Sequence, residues 1–199
     1  MHPLLLASSS TERYRLLSKL GIPFETVHPN IDETPFSMET PSELVQRLAA
    51  SKADVIRTRR PECVIISGDQ VISVQNKILS KPLTHDEAVD QLRLCSGATV
   101  TSYSGLSIYA PETKTTQTEL ITTTIVYREF DDQTIQAYLD VDKPYECAGS
   151  IRLEGMGFVL IEQLTSGDPY AIHGLPLLTV VRILSTLGFT PAELLQIRL

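Results

Sequence analysis

Apolar residues recur along this chain at two spacings, and the spacings separate strands from helices. Leu4-Leu5-Leu6-Ala7 reads as a short buried strand, residues 24–28 as a second, and the run from Val64 to Ser67 as a third that ends before Asp69. Residues 71–74 turn back through Gln75-Asn76-Lys77 in a hairpin. Residues 99–109 and 115–127, rich in Thr, Val, Ile and Tyr, flank Pro111-Glu-Thr-Lys114 and read as an antiparallel pair. A last apolar run, 158–161, predicts one more strand.

Helical spacing appears between these runs. Ser9 with Glu12 forms a capping box ahead of Leu16, Leu17 and Leu20, and Gly21 stops that helix. Thr40-Pro41-Ser42-Glu43 opens a second helix, whose buried stripe is Leu44, Val45, Leu48, Ala49, Ala53 and Ile56. Thr84-His85-Asp86-Glu87 opens a third, with Ala88, Leu92 and Cys95 inward. Asp131-Asp132 starts a short helix through Leu139. Residues 144–154 are irregular and Ser166-Gly-Asp-Pro169 is a turn. Gly174-Leu-Pro176 leads into an apolar helix closed by Gly188, and Thr190-Pro-Ala-Glu193 caps a last one. No repeat, low-complexity tract or linker divides the chain. The expected class is an α/β domain over 1–199 with a mixed sheet, an antiparallel pair inserted midway, and two lobes.

Several charged residues do not fit a purely structural account. Asp69 ends an apolar strand, where a carboxylate is costly to bury unpaired. By residue type alone, an Asp after Gly is a turn residue or a helix cap. Lys52 lies on the apolar side of its helix, at i+4 from Leu48; it either snorkels to solvent or is delivered into a cleft. Arg13 sits in the first turn of a helix, where the dipole disfavours a cation, after a Ser-rich turn that resembles an anion site. Lys81-Pro82 offers a cation in a turn. Asp32-Glu33, between two prolines, offers hard oxygens of the kind a magnesium-type ion prefers, although adjacent acids in a loop are commonly solvated surface. Three cations and two carboxylates suit a metal-bound polyphosphate.

Composition narrows the classes. A net charge of −7 argues against a protein that coats nucleic acid, and no apolar run approaches the ~20 residues of a membrane span. The first residues lack the basic region of a secretory signal, so a cytoplasmic location is expected. Cys63, Cys95 and Cys147 form no metal-binding spacing and read as reduced thiols. There is no phosphate-binding GxxxxGK[ST] loop, no GxGxxG fingerprint, no HExxH and no GxSxG elbow.

The ordered motifs resemble the Maf family of nucleoside triphosphate pyrophosphatases, in the branch acting on 7-methyl-GTP. They are Leu6-Ala7-Ser8-x-Ser10 with Arg13, Asp32-Glu33-Thr34, Glu43-Leu-Val-x-Arg-Leu-Ala49 with Lys52-Ala53, and Gly68-Asp69-Gln70-Val71. Lys81-Pro82-Leu83, Cys147-Ala-Gly-Ser150 with Glu154-Gly155, Gly167-Asp-Pro169 and Gly174-Leu-Pro176 follow, so the match runs almost end to end. The resemblance implies an elongated mixed sheet flanked by helices, with two lobes around a nucleotide-binding cleft. It implies Asp69 as the general base, with Ser8, Ser10, Arg13, Lys52 and Lys81 on the phosphates. Glu33 and Asp69 would hold a divalent cation, Mg²⁺ or Mn²⁺. Glu12, Gln70 and Glu154 occupy positions linked to substrate choice. The implied partners are a modified nucleoside triphosphate and a second copy of the chain, not polymeric nucleic acid or membrane.

Three features depart from the family pattern. Ser10-Thr11-Glu12-Arg13-Tyr14 lacks the usual proline and second arginine, Ser67-Gly68 reverses the usual Gly-Ser, and Ser80 stands where glycine is expected before Lys81. Two other readings therefore stay open: a pyrophosphatase of dTTP and UTP, and a nucleotide-binding regulator of septum formation with weak catalysis.

Overall fold

The computed structural model describes residues 2–196. Strand β1 (Leu4–Ala7) lies between β2 (Phe24–Val27) and β3 (Val64–Val74), parallel to both, with Leu4 opposite Val64 and Ala7 opposite Ser67. The hairpin partner β4 (Lys77–Leu79) returns along the far end of β3 through Gln75 and Asn76, both at positive φ. Strands β5 (Thr99–Ala110) and β6 (Thr115–Tyr127) are neighbours, and β7 (Ile161–Ser166) pairs antiparallel with β6. The sheet order is β2-β1-β3-β5-β6-β7, with β4 on β3. Six helices accompany it among the described residues: α1 (Thr11–Ser18), α2 (Pro41–Arg57), α3 (His85–Cys95), α4 (Asp132–Asp142), α5 (Leu177–Thr186) and α6 (Pro191–Gln196). None is long and apolar enough to cross a membrane.

The chain forms two compact units, 1–70 with 104–121 and 168–199, and 71–103 with 122–167. In the first, the two-residue period of the strands sorts side chains by face. Leu4, Leu6, Val64, Ile66, Leu106 and Ile108 pack with Leu16 and Leu17 of α1 and Val180, Ile183 and Leu184 of α5. Leu5, Ala7, Ile65 and Tyr109 pack with Ala53 and Ile56 of α2 on the other face. In the second unit, α3 buries Ala88, Val89, Leu92 and Cys95, and α4 buries Ile135, Tyr138 and Leu139.

Three expectations need correction. Asp69 does not end a strand, because β3 runs on without a turn to Val74. The cap of α1 is Ser10, whose Oγ accepts the Arg13 N–H at 3.3 Å. Ser9 cannot serve, since the helix begins at Thr11; Glu12 is then too early to close a reciprocal box. Residues Gly157–Leu160 form a 3-10 turn rather than a strand, and pairing with β6 begins only at Ile161, opposite Tyr127.

Candidate active site

The period that sorts the core also builds the site. Ile65, Ser67 and Asp69 share the face of β3 that looks toward α2. Ser67 Oγ donates to the Ala49 carbonyl of α2 at 2.7 Å, tying strand and helix together two residues before Asp69. Lys52, one helical turn beyond Leu48, is 5% exposed and directed inward rather than to solvent. Its Nζ donates to Asp69 Oδ1 at 2.7 Å and lies 2.8 Å from Glu33 Oε1. One buried ammonium therefore joins the two carboxylates that the sequence singled out.

The approach of α2 to the sheet depends on Gly105 in β5. A Cβ there would lie 2.2 Å from the Val45 carbonyl oxygen and 2.6 Å from its carbon, both backbone atoms. Gly105→Ala is expected to push α2 outward and draw Lys52 away from Asp69. The expected cost is about 1–3 kcal/mol in thermal unfolding, with a fall in activity; an unchanged melting temperature would contradict this packing.

On the opposite face, Gly68 and Gln70 meet α1 and the turn before α5. Ser8 Oγ accepts the Ser10 N–H at 3.1 Å and an Arg13 Nη1 bond at 3.4 Å. Arg13 Nε donates to the Gly174 carbonyl at 2.8 Å. These acceptors offset the unfavourable dipole that Arg13 meets in the first turn of α1. Gln70 Nε2 donates to the carbonyls of Ala171 and Ile172, at 3.3 and 2.9 Å, and Ser104 Oγ donates to that of Ala171 at 2.8 Å. The 171–174 turn is thus pinned by three side chains. Glu12 is half-buried and lies 3.5 Å from Arg15.

Burial pushes the Asp69 carboxyl above its ordinary value, against the opposing pull of Lys52 and Arg13. Burial pulls the Arg13 guanidinium below its ordinary value, while Asp69 and Glu33 resist that pull. A buried carboxylate held by a fixed cation and kept from full stabilisation suits a proton acceptor.

Eight of the predicted residues, Ser8, Ser10, Glu12, Arg13, Glu33, Lys52, Asp69 and Gln70, belong to the first unit. Lys81 and Glu154 belong to the second. Lys81 is exposed, with Nζ 3.5 Å from Glu146 Oε2. Glu154 is exposed in a turn held by Asp142: Asp142 Oδ2 accepts the Met156 N–H at 2.7 Å, and a Cβ on Gly155 would meet that oxygen at 2.5 Å.

The sequence reading missed some supports. An isolated glycine inside a strand, as at Gly105, is the signal of close backbone approach. Asp168 is 1% exposed and accepts bonds from Tyr170 N and from Thr179 N and Oγ1, so the turn expected at 166–169 also fixes the start of α5. Arg47 lies within the motif over residues 43–49, where sequence spacing points to no partner for it.

Comparison with known proteins places the chain in a family. The profile described as Maf-like protein matches residues 3–187. A protein of Nitrosococcus oceani named 7-methyl-GTP pyrophosphatase is 43% identical over 186 residues, covering 94% of each chain. Proteins of the same name from Methylobacillus flagellatus and Vibrio parahaemolyticus are 41% and 40% identical over 188 residues. These cover 94% of this chain and 98% and 97% of their own. With the profile matched over residues 3–187 and relatives of 40% identity or more across almost its whole length, the chain belongs to the Maf-like family.

Proposed function

We propose that this chain hydrolyses 7-methyl-GTP to 7-methyl-GMP and diphosphate, so keeping a modified nucleotide out of the precursor pool. The observation that carries the reaction type is the buried Asp69 carboxylate on the Lys52 ammonium, beside Glu33. The shared name of the full-length relatives supports the substrate.

In this reading Asp69 accepts a proton from water as that water attacks the phosphoanhydride. The bond between the α- and β-phosphates breaks, and diphosphate leaves with its negative charge matched by fixed cations. Arg13 and Lys52, with the hydroxyls of Ser8 and Ser10 and the α1 N-terminus, bind phosphate oxygens in the first unit. By the family resemblance alone, Lys81 is a further candidate for the phosphates. Gln70, Glu12 and Glu154 stand, by the family resemblance, at positions linked to the choice of base. Guanine offers N1–H and N2–H₂ as donors on one edge, and N7-methylation leaves its ring positive; a carboxylate such as Glu154 favours both.

The donor set fits a divalent cation of magnesium type. Glu33 and Asp69 supply hard oxygens that converge on one ammonium. No grouping of three or more His, Cys, Asp and Glu occurs among the described residues, so phosphate and water would complete the coordination, as magnesium sites commonly do. When bound, such an ion neutralises charge on the phosphates. We place the reaction in the cytoplasm, in keeping with unpaired thiols at Cys63, Cys95 and Cys147.

Two measurements test this reading. Product chromatography should show 7-methyl-GMP and diphosphate; 7-methyl-GDP with inorganic phosphate would overturn the assigned bond. The pH profile should show an acid limb in kcat/KM above the ordinary aspartate value of about 3.9, because burial raises the carboxyl and only its ionised form takes the proton. Activity is then lost as pH falls through that raised value. An acid limb at or below the ordinary value would remove Asp69 as the base.

A further inference from the structure

We propose that Arg47 is a positioning residue for Glu33, clasping the acidic loop of residues 32–39 against α2. The inference rests on the reading above for what Glu33 does, and on the geometry for how the loop is held.

The loop has no helix or strand to fix it, and Glu33 is largely exposed, with 57% of its side chain accessible. Lys52 holds its carboxylate from inside. Arg47 holds the backbone beside it: Nη2 donates to the carbonyl of Thr34, the next residue, at 3.1 Å. The same guanidinium grips Glu39 with both arms of its fork, Nε to Oε1 at 2.6 Å and Nη2 to Oε2 at 2.8 Å. Its carbon lies 4.0 Å from the centre of the Phe36 ring. Glu39 Oε2 in turn accepts the Phe36 N–H at 2.9 Å. The Glu39 side chain is only 7% exposed, unlike an ordinary surface pair. Fork, carbonyl bond and ring contact use the planar, multiply donating geometry of arginine, which lysine lacks.

Hydrogen exchange of the metal-free protein reads the clasp directly. In Arg47→Ala the Phe36 and Glu39 amides should exchange about tenfold or more faster, the scale set by lost charge-assisted bonds. The Thr40 amide, held by Glu43 Oε2 at 2.9 Å, should keep its rate. Arg47→Lys should fall between wild type and Arg47→Ala. Mn²⁺ titration with inorganic diphosphate present, followed by the paramagnetic resonance of free ion, should show affinity weakened by about ten- to a hundredfold in Arg47→Ala. Unchanged exchange at Phe36 and Glu39, or a faster loop with unchanged Mn²⁺ affinity, would overturn the proposal. So would exchange that accelerates equally at Ala53 and Ile56, since Arg47 would then merely support α2. A wild-type protein that binds Mn²⁺ in this way but turns over no nucleotide would remove the functional reading and leave the clasp standing.

Discussion

Asp69→Asn is expected to lower kcat by about 10²–10⁴-fold while nucleotide affinity stays near that of wild type. Asparagine keeps the size of the side chain and an oxygen toward Lys52, but its amide cannot take a proton from water. The ammonium of Lys52 and the guanidinium of Arg13 remain to bind phosphate, and removing a nearby negative charge does not weaken them toward an anion. The separation of rate from affinity is therefore the informative result. It is read by single-turnover kinetics alongside equilibrium titration with 7-methyl-GTP. Affinity collapsing together with rate would mean that Asp69 serves chiefly to recruit metal.

Lys52→Ala should damage both stability and chemistry. Asp69 is 8% exposed, and loss of its 2.7 Å partner leaves a buried carboxylate without that cation. Breaking such a pair costs about 3 kcal/mol, which in a chain of this length lowers the melting temperature by about 6–12 °C. Glu33 loses its anchor in the same substitution. Loss of a charged phosphate contact removes a further 1.5–3 kcal/mol or so of binding in the transition state, roughly ten- to a hundredfold in kcat/KM. The acid limb should also move up, because Lys52 is the largest influence lowering the Asp69 carboxyl. A variant with wild-type melting temperature and an unmoved limb would show that the pair is not formed in solution.

Local patterning makes much of this structure legible in the sequence. Thr40 with Glu43 is a reciprocal cap in fact, and the stripe from Leu44 to Ile56 is buried throughout. These are signals in which neighbours in sequence decide the outcome. Lys52 was recognisable as misplaced, since its position on the apolar side follows from helical spacing alone. Whether it reached water or the interior depended on Asp69, seventeen residues away, and on how closely α2 approaches β5 at Gly105. That distance is a tertiary property. Asp69 is legible in the sequence as a costly carboxylate, but Gly68 looks like punctuation and suggests that the strand ends there. In the fold that glycine is strand backbone, and a Cβ on it would lie 3.1 Å from the Gly105 carbonyl oxygen. Arg47 was invisible for the converse reason. An arginine on a helix otherwise reads as solvated surface, and its partners Thr34, Phe36 and Glu39 lie in a loop without periodicity.

The most direct test of the account is a substrate panel with Mg²⁺ or Mn²⁺, following diphosphate released from 7-methyl-GTP, GTP, dTTP and UTP. The highest kcat/KM is expected on 7-methyl-GTP, lowered by about 10²–10⁴-fold in Asp69→Asn. Faster turnover of dTTP or UTP, or tight binding of 7-methyl-GTP with no metal-dependent release of diphosphate, would contradict it.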